Sequence, residues 1–177
     1  MRKISVFIAM SLDGFIAKPN DDLSFLKLVE RQGEDYGYAE FTENIDTIII
    51  GRKTYDYVLK EVGPNHYDNG LRDVYVITRN ARPSIGKTNF YSGDLGELVK
   101  KLKSQEGKNI YCDGGAEVIN ELLKLKLIDE FIISVVPVLL GDGVRLFKGP
   151  QNEQLIELVN TKTFESGLVQ LRYQCKR

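Results

Sequence analysis

The stretch "NIYCDGGAEVINELLK", residues 109–124, decides how this chain is read. "NIYC" (109–112) is a short apolar run of strand character, and "AEVINELLKLK" (116–126) carries apolar residues at three- and four-residue spacing, the period of a helix. Between them stand Gly114 and Gly115. A strand passing straight into a helix is the building unit of α/β sheets. At such a junction the first N–H groups of the helix have no partner within it and carry partial positive charge. Two glycines there lack the Cβ atoms that would keep a phosphate off that backbone. A Gly-Gly pair is also an ordinary tight turn, so its meaning depends on the rest of the chain.

Similar strand-like runs recur at "ISVFIA" (4–9), "TIIIG" (47–51), "VYVIT" (74–78) and "FIISVVPVLL" (131–140). Several are apolar on both faces, as strands of a covered parallel sheet must be. Helix-like stretches lie between them at 22–32, 93–104 and 116–126. In the second, Leu95, Leu98, Val99 and Leu102 form one stripe while Lys100, Lys101 and Lys103 face away. The tail, "QLIELVNTKTFESGLVQLRYQC", reads as two alternating strands joined across "ESG". These patterns predict an α/β fold with a mixed, mostly parallel central sheet, helices on both faces and an antiparallel C-terminal hairpin. No linker or repeat divides the chain, so one domain over residues 1–177 is expected.

Composition narrows the function. The 24 basic and 25 acidic residues leave a net charge of -1, without the basic field that nucleic acid or an anionic membrane requires. No apolar run approaches the roughly 20 residues of a membrane span, and a cytoplasmic location is expected. Cys112 and Cys175 form neither a disulfide framework nor a metal-ligand spacing and are read as small apolar residues. The single histidine, His66, is read as a solvated loop residue, and no metal site is expected. There is no G-x-S-x-G elbow, no G-x-G-x-x-G fingerprint near the start and no P-loop.

Two further strand ends are rich in donors. "TIIIG" closes on Gly51 and opens into Arg52, Lys53 and Thr54, where cations at a helix start want an anion to offset the dipole. "VYVIT" ends in Thr78 and Arg79, a hydroxyl and a guanidinium fork suited to a phosphate monoester. Near the first strand, Asp13-Gly14 forms a turn, and Asp21 or Asp22 opens the next helix-like stretch either as its N-cap or as a catalytic carboxyl. Walled by Phe25 and Leu26, such a carboxyl would have a raised pKa and pass a proton near neutrality.

The motifs "FIAMSLDGFIA", "IIIGRKTYD", "VYVITRN" and "CDGGAEVINELL" resemble, in order, those of the dihydrofolate reductase superfamily. "LIDEFIISVVPVLLGDGVRLF" (127–147) more closely resembles the reductase domain of the bifunctional riboflavin-biosynthesis deaminase-reductase, here as a stand-alone member. The resemblance covers nearly the whole chain. It implies a three-layer fold binding NADPH, with Ala9 and Ile16 lining the nicotinamide and Gly51, Arg52, Lys53 and Thr54 holding phosphates. It further implies Thr78 and Arg79 at the adenosine 2′-phosphate, and Gly114, Gly115, Ala116, Glu117 and Val118 cradling the pyrophosphate, with the Gly114-Gly115 bond a candidate cis peptide. Asp22 matches the acidic residue that orients or protonates a nitrogen heterocycle, and Asp13, Phe25, Leu26 and Asp113 become substrate contacts.

Two departures stand out. Only five residues separate Ile16 from Asp22, so the loop that closes over the nicotinamide is short, and Asp113 stands where dihydrofolate reductases are usually apolar. A carboxylate there would repel the glutamate tail of folate or hydrogen-bond another polar ring or ribityl chain. The expected activity is therefore NADPH-dependent reduction of a pterin- or pyrimidine-like molecule of the riboflavin-pathway type. Dihydrofolate reduction and non-catalytic dinucleotide binding are the alternatives. The apolar "FIISVVPVLL" edge and the hairpin after it predict a homodimer.

Overall fold

The computed structural model describes residues 1–67, 70–149 and 152–176. Among the described residues nine strands form one sheet in the order β10-β11-β8-β1-β7-β3-β4-β6-β5. In chain order the sheet strands are β1 (Ile4–Ser11), β3 (Ile45–Gly51), β4 (Asp73–Ile77), β5 (Arg82–Ile85), β6 (Thr88–Tyr91), β7 (Asn109–Gly114), β8 (Glu130–Val136), β10 (Ile156–Thr163) and β11 (Val169–Cys175). Two short strands, β2 (Phe15–Ala17) and β9 (Val144–Arg145), make a separate antiparallel ribbon. The run from β8 through β1, β7, β3 and β4 to β6 is parallel, and β5, β10 and β11 are antiparallel additions.

Alternation along the central strands sends side chains to two different cores. Ile49, Ile110, Cys112 and Val6 face α3 (Leu95–Ser104) and α4 (Ala116–Lys124). Ile48, Ile50, Val74, Val76 and Tyr111 face the other way, onto α1 (Tyr38–Glu43) and α2 (Arg52–Glu61). Residues of period two thus supply both faces of a covered sheet, which gives three layers.

The structure departs from the sequence reading at residues 22–32. No α-helix forms there; the chain makes a 3-10 turn at Ser24–Leu28. The Val29 N–H bonds to Leu26 O, the three-residue pattern, and the Asp22 carboxylate takes the Ser24 N–H at 2.7 Å and so turns the chain locally. Only Phe25 and Val29 of this stretch are buried, while Leu28 points to solvent, so no continuous apolar stripe sustains a helix. The apolar run 131–140 is strand only as far as Val136, because Pro137 brings no N–H to the ladder. Helix α1 and strands β2, β5, β6 and β9 carry little apolar periodicity and were not foreseen; β5, "RPSI", is exposed throughout. Within the irregular 61–72 stretch, Pro64–His66 forms a 3-10 turn, and positions 68 and 69 lie outside the described residues. The hairpin closes where Gly167, at φ 85, donates to Phe164 O.

Candidate active site

Strands β4, β3 and β7 are neighbours and parallel, so their C-terminal ends open on one rim of the sheet. That geometry brings Thr78 and Arg79, Gly51 to Thr54, and Gly114 to Val118 to the same edge. The β3 and β7 ends come very close. A Cβ built on Gly51 would lie 3.3 Å from both Gly115 N and Val118 Cγ2, and one on Gly115 would lie 2.8 Å from Thr54 Oγ1. Only glycine admits this approach without displacing a neighbour. The Gly114–Gly115 peptide is cis.

Helices α2 and α4 start on this rim from Gly51 and Gly115, which bring no capping side chain. Their first-turn N–H groups have no intrahelical acceptor and are turned toward the rim. Ala116 and Val118 are buried in the core, so they offer only backbone, and Glu117 is exposed. Arg52 is engaged within its own helix, bonding Asp56 at 2.7 Å one turn on, and that carboxylate supplies part of the offset expected from an external anion. Lys53 and Arg79 are exposed. Thr78 Oγ1 accepts the Asn80 N–H at 3.3 Å, leaving its own proton free to donate. This set of amides, one hydroxyl and two exposed cations fits the phosphates of a dinucleotide.

Beside the glycines, on the α1 and α2 side of the sheet, stands Asp113. Its carboxyl is held by two tyrosine hydroxyls: Tyr67 on Oδ2 and Tyr111 on Oδ1, the latter at 2.5 Å. Tyr111 also reaches the Phe7 carbonyl at 3.1 Å, which ties β1 to the cluster. Tyr38 and Phe41 of α1 meet the Tyr111 ring edge-on, Tyr55 of α2 stacks on Tyr67 at 5.7 Å, and His66 packs edge-on against Tyr67 at 4.7 Å. His66 is thus half-buried beside the site rather than solvated. Burial pushes the Asp113 pKa up, outweighing the Tyr111 and Tyr67 bonds and the nearby His66, which pull it down. Burial, with the Asp113 charge added, also pushes Tyr38 to about 12 and raises Tyr67 and Tyr111. Asp113 is therefore the carboxyl with the perturbed chemistry expected of a proton donor. Of its surroundings, Tyr111 was within reach of the sequence, two positions before Asp113 on one strand face, whereas Tyr38, Tyr67 and Phe7 arrive from distant segments.

The other candidates fall elsewhere. Asp22 is exposed, and the Ser24 N–H and Ser24 hydroxyl lower its pKa. The expectation of a desolvated, raised carboxyl at Asp22 is thus overturned, and so is its place at the start of a helix. Phe25 is 2% exposed in a cluster with Val29, Val136 and Leu168, so it walls the core and not a substrate, while Leu26 packs half-buried at that cluster's margin. Asp13 accepts the Ser11 hydroxyl at 2.6 Å and the Gly141 and Leu140 N–H groups at 2.7 and 3.1 Å. These bonds, the Ser11 one foremost, hold its pKa near 2 and make it a clasp between the β1–β2 turn and the loop after β8. That role uses both carboxylate oxygens and leaves it poorly placed as a substrate contact. Ala9 packs with the Phe25 cluster and Ile16 with the α3/α4 core, on separate packing groups. Cys112 is buried and Cys175 half-buried. A polar cleft starting at Phe7 runs along β1, β8 and β11 away from Asp113, and its Glu130 is already bonded to Ser5 and Arg172.

The model of the RibD C-terminal domain matches residues 2–170. The chain belongs to this family. It is 39% identical over 175 residues to YwjB of Bacillus subtilis (strain 168), covering 97% of each protein. Among solved structures it is similar to a Shewanella sp. PV-4 protein named for riboflavin biosynthesis, at TM-score 0.88 and 30% identity over 99% of both chains. It also resembles in fold the Thermotoga maritima diaminohydroxyphosphoribosylaminopyrimidine deaminase/5-amino-6-(5-phosphoribosylamino)uracil reductase, at TM-score 0.73 and 15% identity, spanning 57% of that longer chain. The three-layer architecture and the RibD-reductase type read from the sequence agree with these likenesses. Among the described residues no helix is long and apolar enough to cross a membrane.

Proposed function

We propose that this protein is an NADPH-dependent reductase acting on a pyrimidine- or pterin-like heterocycle, of the 5-amino-6-(5-phosphoribosylamino)uracil type. The observation that carries the reading is the pair of glycine-started helices, α2 and α4, side by side at the centre of the rim with Asp113 next to them. Gly51 to Thr54 and Gly114 to Val118 would hold the pyrophosphate through backbone N–H groups, and Thr78 and Arg79 the 2′-phosphate. When bound, the nicotinamide supplies the hydride. Asp113, beside the cradle, takes the role of acid that the sequence assigned to Asp22: it orients the heterocycle and holds the proton that accompanies hydride arrival. Family membership supports the reductase class, and the carboxyl at position 113 favours a polar ring or ribityl chain over folate.

The test is a fluorescence titration with NADPH, followed by absorbance assays with the ribosylamino-pyrimidine and with dihydrofolate. Saturable binding and turnover of the pyrimidine are expected. Turnover of dihydrofolate alone would reassign the substrate, binding without turnover of either would leave a dinucleotide-binding protein, and no binding would remove the reading.

We also propose a homodimer, formed through β10 of the hairpin and not through the 131–140 run, whose strand β8 is no edge but is paired on both sides, with β1 and β11. Strand β10 is exposed along its whole length, with Ile156, Leu158 and Val159 each about half exposed, an open apolar edge of the kind that recruits a second strand. Light scattering at micromolar concentration should report twice the chain mass; a monomer's mass would overturn it.

A further inference from the structure

In the Tyr67–Asp113–Tyr111–Phe7 chain of contacts, every contact has its own donor only if Asp113 carries a proton. Tyr111 has a single hydroxyl proton and two acceptors in reach, Asp113 Oδ1 at 2.5 Å and Phe7 O at 3.1 Å. If Asp113 is a carboxylate, both tyrosines point their protons at it and the Phe7 carbonyl loses the Tyr111 donor. No ion pair described in the structure includes Asp113. Among the described residues, the titratable groups facing it are Tyr38 from α1, His66 and Tyr67 from the 3-10 turn segment, and Tyr111 and Cys112 from its own strand. If Asp113 is protonated, every contact has its donor: Tyr67 gives to Oδ2, the acid gives to the Tyr111 oxygen, and Tyr111 gives to Phe7 O.

We infer that Asp113 is stored as its neutral acid, and that Tyr111 is a two-position switch that donates to Phe7 O in that state and to Oδ1 once the proton has left. Building on the reductase reading above, the recipient is a nitrogen of the substrate's C=N group. A nicotinamide held by the glycine cradle would supply the hydride for the new C–H bond; as the C=N π pair becomes a nitrogen lone pair, Asp113 gives its proton to that nitrogen. Asp113 is left as a carboxylate, now accepting from both Tyr67 and Tyr111, and recovers its proton from water after the product leaves. Tyr111 acts through Asp113 and is a positioning residue. A partner hydroxyl that follows the charge lets a half-buried acid give up its proton without leaving the new carboxylate unpaired.

Infrared difference spectroscopy of wild type against Asp113→Asn at neutral pH tests this on the protein without cofactor. The expected result is a protonated-carboxyl C=O band present in wild type, absent in the variant and shifted in heavy water. Tyr111→Phe, which keeps the ring packing and removes the oxygen that accepts the acid proton, should move that band to the higher frequency of a less strongly bonded acid. Should Asp113→Asn fail to give a folded circular dichroism spectrum, the wild type against Tyr111→Phe difference carries the test alone. A wild type showing only carboxylate bands, or a band that Tyr111→Phe leaves in place, overturns the inference. NADPH titration of the same samples separates this from the reductase reading. Binding without the acid band removes only the stored proton, and the acid band without binding removes only the cofactor.

Discussion

Helices α2, α3 and α4 all start on the same rim of the sheet, and only α3, at its periphery after β6, brings its own cap. Asp94 accepts the Glu97 N–H at 2.8 Å, and Glu97 adds a second negative charge to the first turn. Helices α2 and α4, at the centre, begin at glycines. Where a helix start only has to be stable, a carboxylate closes it, for about 1 kcal/mol. Where its N–H groups would meet the proposed anionic ligand, a carboxylate would compete for them, and glycine leaves them open at a cost of only a few tenths of a kcal/mol. The difference separates the structural rim from the candidate site.

The largest test of the comparison is chemical and uses Asp113→Asn. With the central rim as a reductase site, steady-state turnover of the reducible substrate should fall by about 10²–10⁴-fold, the usual worth of a positioned acid, while NADPH affinity stays near wild type. Unchanged turnover would move the proton donor elsewhere. The same residue has a signature in stability. Its pKa is raised in the folded protein, so the native state holds the proton more tightly than the unfolded chain. Its contribution is then full below the ordinary aspartate range and shrinks as pH climbs toward the raised value. Asp13 is opposite: lowered from 3.8 to about 2, its contribution is present above 3.8 and is lost as pH falls toward 2. Urea midpoints measured against pH for Asp113→Asn and Asp13→Asn, each relative to wild type, should therefore change in opposite directions.

Next in size is a variant that makes the centre resemble the periphery. Gly51→Asp places a carboxylate at the start of α2, where α3 already has one, and crowds Gly115 N and Val118 at 3.3 Å. NADPH affinity by fluorescence titration should weaken at least tenfold, about 1.4 kcal/mol. The reverse variant, Asp94→Ala, strips the peripheral cap. It should lower unfolding stability by about 1 kcal/mol in urea melts and leave NADPH titrations unchanged. Equal effects of the two variants on NADPH binding would erase the distinction between centre and edge.

Much of this was legible in the sequence because it depends on local period and on glycine. The central strands read correctly since a covered parallel strand is apolar on both faces, and the C-terminal hairpin read correctly from alternation around a Gly-containing turn. Both glycine junctions were visible as strand-to-helix boundaries, but that β3 and β7 are neighbours is a property of the strand order, which no local period encodes. The side of the site that faces Asp113 was not legible. Tyr67 lies 46 residues from Asp113 in sequence and Phe7 lies 104 from Tyr111, and no period links such positions. The exposed edge strand β5 and the short strand β6 beside it were invisible for a different reason, since exposed or short strands carry no binary pattern.

The smallest expected effect concerns Asp22, where sequence and structure part most clearly. An aspartate before "LSFLK" looks like a helix N-cap or a desolvated acid, because the apolar residues after it imitate a buried stripe. In the structure the stripe never forms. Only Phe25 and Val29 turn inward, Leu28 is 54% exposed, and the Asp22 carboxylate stays in solvent closing a turn on Ser24. A surface carboxylate whose partners are its own near neighbours contributes little beyond that turn, and asparagine preserves the same acceptor. Asp22→Asn should therefore shift unfolding stability by no more than about 0.5 kcal/mol and leave turnover within twofold of wild type. A loss of turnover comparable to that of Asp113→Asn, without a loss of stability, would return the acid to the position the sequence first indicated and reduce the tyrosine-held carboxyl to a packing feature.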